Sequence, residues 1–209
     1  MSASDAQPIV PPPSSDLARD RLPDNWPNAQ PNPEVTTRLG VLLFLVSLGA
    51  LFAALAAIFL YRLGDRLDYR FEAPRILWAS TAAILLSDIA YFLGQRAIRR
   101  DLKNMLLLWV GGALALGIAF TTMQALAWVE LLMLGITAQS NPFSGMFYLF
   151  TAIHALHVAV GLGLLVAVLY GAYLHRYSAA RRSFVDLTGL YWRFLNIVWL
   201  GLFYLLVIL

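Results

Sequence analysis

Five stretches of the chain run almost without charge, near Leu39–Tyr61, Ile76–Gly94, Met105–Val129, Phe143–Tyr173 and Leu187–Leu209. A hydrocarbon layer about 30 Å thick is crossed by about 20 residues of helix, so each stretch is long enough to span it. None alternates polar and apolar residues continuously, as the strands of a transmembrane barrel do. The pattern therefore predicts an all-α, polytopic membrane helix bundle with five transmembrane helices. The fourth stretch exceeds what a perpendicular crossing requires, which predicts tilt or a helical extension into water. Small residues cluster inside the stretches: Ala53 and Ala57 in the first, Gly111, Gly112 and Gly117 in the third, Gly161 and Gly163 in the fourth. Lipid is as apolar as leucine, so helices associate there through close approach, and these positions predict a packed bundle. Trp78, Trp109, Trp192 and Tyr61 fall near the ends of stretches, where interfacial anchors sit, with Trp109 and Trp192 slightly inside.

Ahead of the bundle, residues 1–37 hold eight of the ten prolines, mixed with Ser, Asp and Asn and lacking apolar periodicity. Such a segment reads as a disordered, proline-rich tail, leaving 38–209 as the membrane domain. The tail has no basic region followed by an apolar core, so a cleavable signal peptide is not expected and the first stretch directs insertion itself. Lys and Arg are unevenly placed. The tail end and the second-to-third and fourth-to-fifth connections carry ten, whereas the opposite side carries four, Arg62, Arg66, Arg70 and Arg75. Positive charge stays on the cytoplasmic side, so the N-terminus is expected inside and the C-terminus outside.

Composition narrows the chemistry. The chain is 60% hydrophobic and 13% charged, with a mean hydropathy of +0.69, too apolar to build the polar shell of a soluble enzyme. Cysteine is absent, which excludes disulfides, iron–sulfur clusters, thiolate zinc, covalently attached haem and copper centres built on cysteine sulfur. There is no basic run that would serve nucleic acid, and no phosphate-binding loop, nucleophile elbow or zinc motif.

Polar residues inside the stretches are expensive and become the candidates for function: Asp88, Gln124, Glu130, His154, His157, Arg193 and Asn196. His154 and His157 lie three apart on one helix and share a face. A bis-histidine haem needs imidazoles from facing helices, and a di-metal carboxylate site needs a Glu-x-x-His pair on two helices, so neither is formed here. The favoured reading has these histidines hydrogen-bonded to neighbouring helices or to a partner subunit. Asp88, near the middle of the second stretch, is protonated, paired with Arg193, or part of a proton path; a structural role is favoured, because one acid makes no relay. Glu130 closes the third stretch and is expected in solvent. Arg193, about two turns into the fifth stretch, either snorkels to anionic headgroups, the favoured reading, or pairs with an acid.

The stretches FYLFTAIHALHVAVGLGLL (Phe147–Leu165) and YWRFLNIVWLGLFYLLVIL (Tyr191–Leu209) resemble subunit III of the haem-copper respiratory oxidases, which carries a His-x-Leu-His-Val pattern and a last helix opening Tyr-Trp-His-Phe. The resemblance continues through LLFLVSLGALFAA (Leu42–Ala54), LLSDIAYFLGQRAI (Leu85–Ile98) and GIAFTTMQALAWVE (Gly117–Glu130). The segments suit the short five-helix bacterial form. Glu130, Gln124, His154, His157, Tyr191, Trp192 and Trp199 match the family pattern, whereas Leu48, Ala127, Arg193 and Asn196 stand where it has Glu, Glu, His and Asp. The resemblance implies a subunit of the bacterial inner membrane, without metal, haem or catalytic residue of its own. Haem and copper would lie on partner subunits I and II, further small subunits could join them, and phospholipid would be bound. His154, His157, Gln124, Glu130, Tyr191, Trp192, Arg193 and Trp199 would serve packing, lipid or subunit contact, and a proton-uptake role that depends on the missing acids does not carry over. Alternatives are the homologous accessory subunit of a nitric oxide reductase and a small proton-coupled transporter using Asp88, His154 and His157; against the latter stands the absence of an inverted repeat or of paired broken segments.

Overall fold

The computed structural model describes residues 33–63, 75–140 and 142–208, and all regular structure among them is helical. The helices are α1 (Pro33–Leu63), α2 (Ile76–Ile98), α3 (Lys103–Met133), α4 (Pro142–Tyr173) and α5 (Ser183–Phe203), the last running into a π-helical turn, Tyr204–Ile208. All five are long and apolar enough to cross a membrane. The expected tail largely lies outside the described residues, but α1 starts at Pro33, four residues before the expected end of the tail. Proline suits a first helical position, because its fixed φ is already helical and its missing N–H would have had no partner there.

The helices outrun the apolar stretches. Helix α2 continues to Ile98 through Gln95 and Arg96, α3 starts at Lys103 and ends at Met133, and α5 starts at Ser183. Apolar composition marks the hydrocarbon slab, while a helix continues into the headgroup zone as long as its backbone bonds hold. The four residues between α2 and α3 force antiparallel neighbours, and Asp101 takes a left-handed conformation (φ 55°), which a short polar side chain tolerates. Its Oδ1 accepts from the Ala179 N–H at 2.7 Å, tying this turn to the α4–α5 connection.

Helix α2 pairs most extensively with α3, α4 packs on α3 and α5, and α5 returns against α2. Helix α1 adds a narrow stripe, Leu45, Leu48, Phe52 and Phe59, spaced three, four and seven residues apart and buried, as one helical face requires. Trp192 sits at the centre rather than at the interface expected of it, only 1% exposed. Two glycines make room for its ring. A Cβ at Gly161 would lie 2.9 Å from it and one at Gly117 3.1 Å away. The other small residues pack less tightly than expected: nothing comes within 4 Å of a Cβ at Gly112 or Gly163. A small residue permits close approach without enforcing it.

Candidate functional site

The polar groups of the bundle converge on one face of α2. Ser80 and Thr81 each donate a hydroxyl proton to Leu77 O, at 2.9 and 2.8 Å. Each hydroxyl oxygen then accepts from another helix: Ser80 from Gln124 Nε2 of α3 at 2.8 Å, Thr81 from Trp199 Nε1 of α5 at 3.1 Å. Two turns on, Ser87 donates to Ala113 O of α3 at 2.7 Å and accepts from Trp192 Nε1 at 3.2 Å. Tyr91 Oη donates to Val185 O at 2.9 Å, and Gln95 Nε2 reaches Val185 O and Asp186 Oδ1, both at 3.4 Å. Asp186 also holds Arg182 at 3.0 Å and faces Arg99 at 3.9 Å. Hydroxyls are suited to this seam because one oxygen donates and accepts at once. The sequence reading singled out Gln124, Trp192 and Trp199 but missed their partners. The signal was present in the spacing: Ser80, Ser87, Tyr91 and Gln95 fall seven, four and four residues apart, one face of a helix.

Asp88 and Arg193 meet across α2 and α5, Arg193 Nε donating to Asp88 Oδ2 at 3.3 Å, and the guanidinium lies 5.5 Å over the Phe92 ring. This pairing was the less favoured alternative to snorkelling. Asp88 Oδ1 has no hydrogen-bond partner among the described residues, nor has the Nδ2 of buried Asn196.

His154 is 2% exposed, stacked on Trp199 at 5.4 Å and met edge-on by Phe52 and Phe120 at 6.2 and 6.4 Å. His157 turns its Nδ1 to Ile153 O, 2.7 Å away on its own helix. A carbonyl only accepts, so the ring proton is on Nδ1. Neither ring hydrogen-bonds to another described helix, so of the favoured reading, a neighbouring helix or a partner subunit, the partner subunit is what is left; within the bundle the link runs through backbone, Tyr191 Oη donating to His157 O at 3.0 Å. Leu48 and Ala127, at positions where the family pattern has acids, are buried against the bundle. Glu130 is exposed near the end of α3. Among the described residues, no group of three His, Asp or Glu is placed to hold a metal ion.

The family profile for cytochrome c oxidase subunit III matches residues 71–209. A cytochrome c oxidase subunit 3 from Synechocystis sp. is 32% identical, over 94% of this chain and 85% of its own length. One from Thermostichus vulcanus is 31% identical, over 82% of this chain and 86% of its own. A probable quinol oxidase subunit 3 from Staphylococcus haemolyticus is 27% identical, over 79% and 85%. With the profile covering more than half of its length and relatives at this level across most of it, the chain belongs to the cytochrome c oxidase subunit III family and is a non-catalytic, multi-pass membrane subunit of a haem-copper terminal oxidase.

Proposed function

We propose that the chain stabilises its oxidase by packing against subunit I, with phospholipid as part of the contact, while haem and copper are carried by subunits I and II. The observation that carries this reading is how the bundle divides its surface. The Gln124 amide, the Trp192 and Trp199 indoles and their hydroxyl partners are used internally between α2, α3 and α5, while side chains such as Leu43, Phe44 and Val46 leave much of α1 apolar and exposed. Such a surface fits lipid and apolar partner helices. Lipid headgroups have a candidate place: a recess of about 370 Å³ whose lining includes Arg38, Arg99 and Arg193, against one acid, Asp186, together with Leu42, Phe92 and Leu190. Guanidinium groups beside apolar walls suit an anionic headgroup and the start of its chains. Purification in mild detergent tests the reading. The chain should copurify with a haem-containing subunit and phospholipid, and recovery with neither would defeat it.

The histidines serve packing in this reading. Replacing His154 and His157 together by Gln removes titration and most metal affinity but preserves bulk and polarity. The double variant should assemble, and its complex should keep most of the initial oxygen-reducing rate. An assembled variant whose initial rate collapses would show that the imidazoles move protons.

The N-terminus lies in the cytoplasm and the C-terminus in the periplasm of a bacterial inner membrane. Support comes from the ten-to-four distribution of Lys and Arg. Protease added to inside-out vesicles should therefore remove the proline-rich segment, and protease added to right-side-out vesicles should spare it. The reverse pattern would invert the topology.

A further inference from the structure

The arginine recess lies at the end of the bundle where α2 stops and α5 starts, and its charges discriminate between headgroups. Of its three arginines, Arg193 is already paired with Asp88 at 3.3 Å, and Arg99 stands 3.9 Å from Asp186. Arg38, exposed in the second turn of α1, has no hydrogen-bond or ion-pair partner among the described residues. The one acid of the lining has nothing left to offer a cation. Asp186 Oδ1 accepts from Gln95 Nε2 at 3.4 Å, and its Oδ2 accepts from Arg182 Nε at 3.0 Å. Counting Arg182, four arginines stand against two acids, Asp88 and Asp186, so the neighbourhood is positive by two charges. Guanidinium meets phosphate with paired N–H donors, and such charge-assisted bonds are roughly twice as strong as neutral ones.

Below this rim the recess turns apolar. On α5 its lining runs from Asp186 through Leu187 and Leu190 to Arg193, which at 1.5 Å per residue follows the helix for roughly 10 Å. Leu42 of α1 and Phe92 of α2 close the slot from the other helices. A charged rim above an apolar slot fits a molecule that is anionic at one end and hydrocarbon at the other, whereas inorganic phosphate would leave the slot unfilled.

We propose that the recess selects an anionic phospholipid over a zwitterionic one, the phosphate being held by Arg38 of α1 and Arg99 of α2. This rests on the phospholipid contact proposed above and adds the headgroup class and the residues that choose it. An ethanolamine headgroup brings an ammonium group among arginines, where no carboxylate oxygen of the lining is left to receive it. A glycerol headgroup brings neutral hydroxyls and keeps the phosphate charge uncompensated. Because its two arginines come from different helices, the bound lipid also ties α1 to α2.

The test counts lipid on the intact oxidase complex by native mass spectrometry, after equilibration with mixed micelles of phosphatidylglycerol and phosphatidylethanolamine in equal amounts. Arg38→Gln should retain one phosphatidylglycerol fewer than the parent, with the phosphatidylethanolamine count unchanged. Arg100→Gln is the control, since Arg100 is exposed at the same end of the bundle and does not line the recess. It should match the parent. Equal phosphatidylglycerol counts in parent and Arg38→Gln, the same loss in Arg100→Gln, or loss of phosphatidylethanolamine in its place would each overturn the proposal. Washing the parent with inorganic phosphate in place of chloride, at equal ionic strength, should leave its count unchanged. Phosphate that strips the lipid would make the recess a site for the free anion and overturn the lipid assignment. In all these outcomes the complex still holds its haem subunit and other lipid, so the packing reading stands; a parent chain recovered with neither defeats both.

Discussion

Leucine at Gly161 is expected to expel the subunit from its complex. The Cβ alone would lie 2.9 Å from the Trp192 ring and 3.1 Å from Leu195 Cδ1. The ring is already seated against Gly117 on the α3 side, so closely that a Cβ there would lie 3.1 Å from it, and its Nε1 is held by Ser87 at 3.2 Å. Overpacking a filled core costs about 1–3 kcal/mol, and three further carbons against a trapped indole place this variant at the top of that range. The strain is relieved by moving α4 off α5, which loosens the bundle where α4 and α5 meet. The measurement is the amount of subunit retained through purification, with the thermal midpoint alongside. Gly163→Leu is the control, two residues along the same helix with nothing within 4 Å of its Cβ. It should leave retention near the parent level. Equal loss in both variants would mean that leucine harms α4 by itself and that the Trp192 socket is not the cause.

That contrast also shows where sequence reading stops. Gly161 is buried against Trp192 and Leu195 while Gly163, about 200° round the same helix, is exposed, and composition alone does not say which of the two faces the bundle. The five spans were legible because burying a backbone in lipid demands long apolar helices, a constraint written in composition. The family was legible because its motifs span several helices in order. Partner choice was not. Ser80, Thr81 and Ser87 look like ordinary hydroxyls in an apolar helix, and their role depends on what comes opposite, the Gln124 amide of α3 for Ser80 and an indole of α5 for each of the other two. His154 was expected to hydrogen-bond to a neighbouring helix or to a partner subunit, and what surrounds it within the bundle is three rings, Phe52, Phe120 and Trp199. Rotation of a helix about its own axis decides such matters, and hydropathy fixes that rotation weakly when every face is apolar. On α1 the apolar stripe toward the bundle and the apolar face away from it read alike.

Arg193→Leu is expected to harm the complex more than Asp88→Asn, although both break the same 3.3 Å ion pair. The two partners have different escapes. An arginine left alone has a long stem and can carry its charge to the headgroups, and here it also keeps the Phe92 face at 5.5 Å. An aspartate left alone has one methylene, already lacks a partner among the described residues for Oδ1, and stays within the membrane. Breaking a fully buried pair costs about 3–5 kcal/mol, but these side chains are 41% and 24% exposed, so we expect about 2 kcal/mol for Arg193→Leu and less than half of that for Asp88→Asn. Combining the two substitutions should recover most of the Arg193→Leu loss, because the stranded carboxylate is gone. Thermal midpoints of the four complexes, parent, two singles and the double, give the coupling directly. Additive losses, with the double variant as weak as the sum of the singles, would show that the pair contributes nothing. Arg193 would then act through the headgroups alone, and the contact between α2 and α5 would rest on the hydroxyl seam of Thr81 and Ser87.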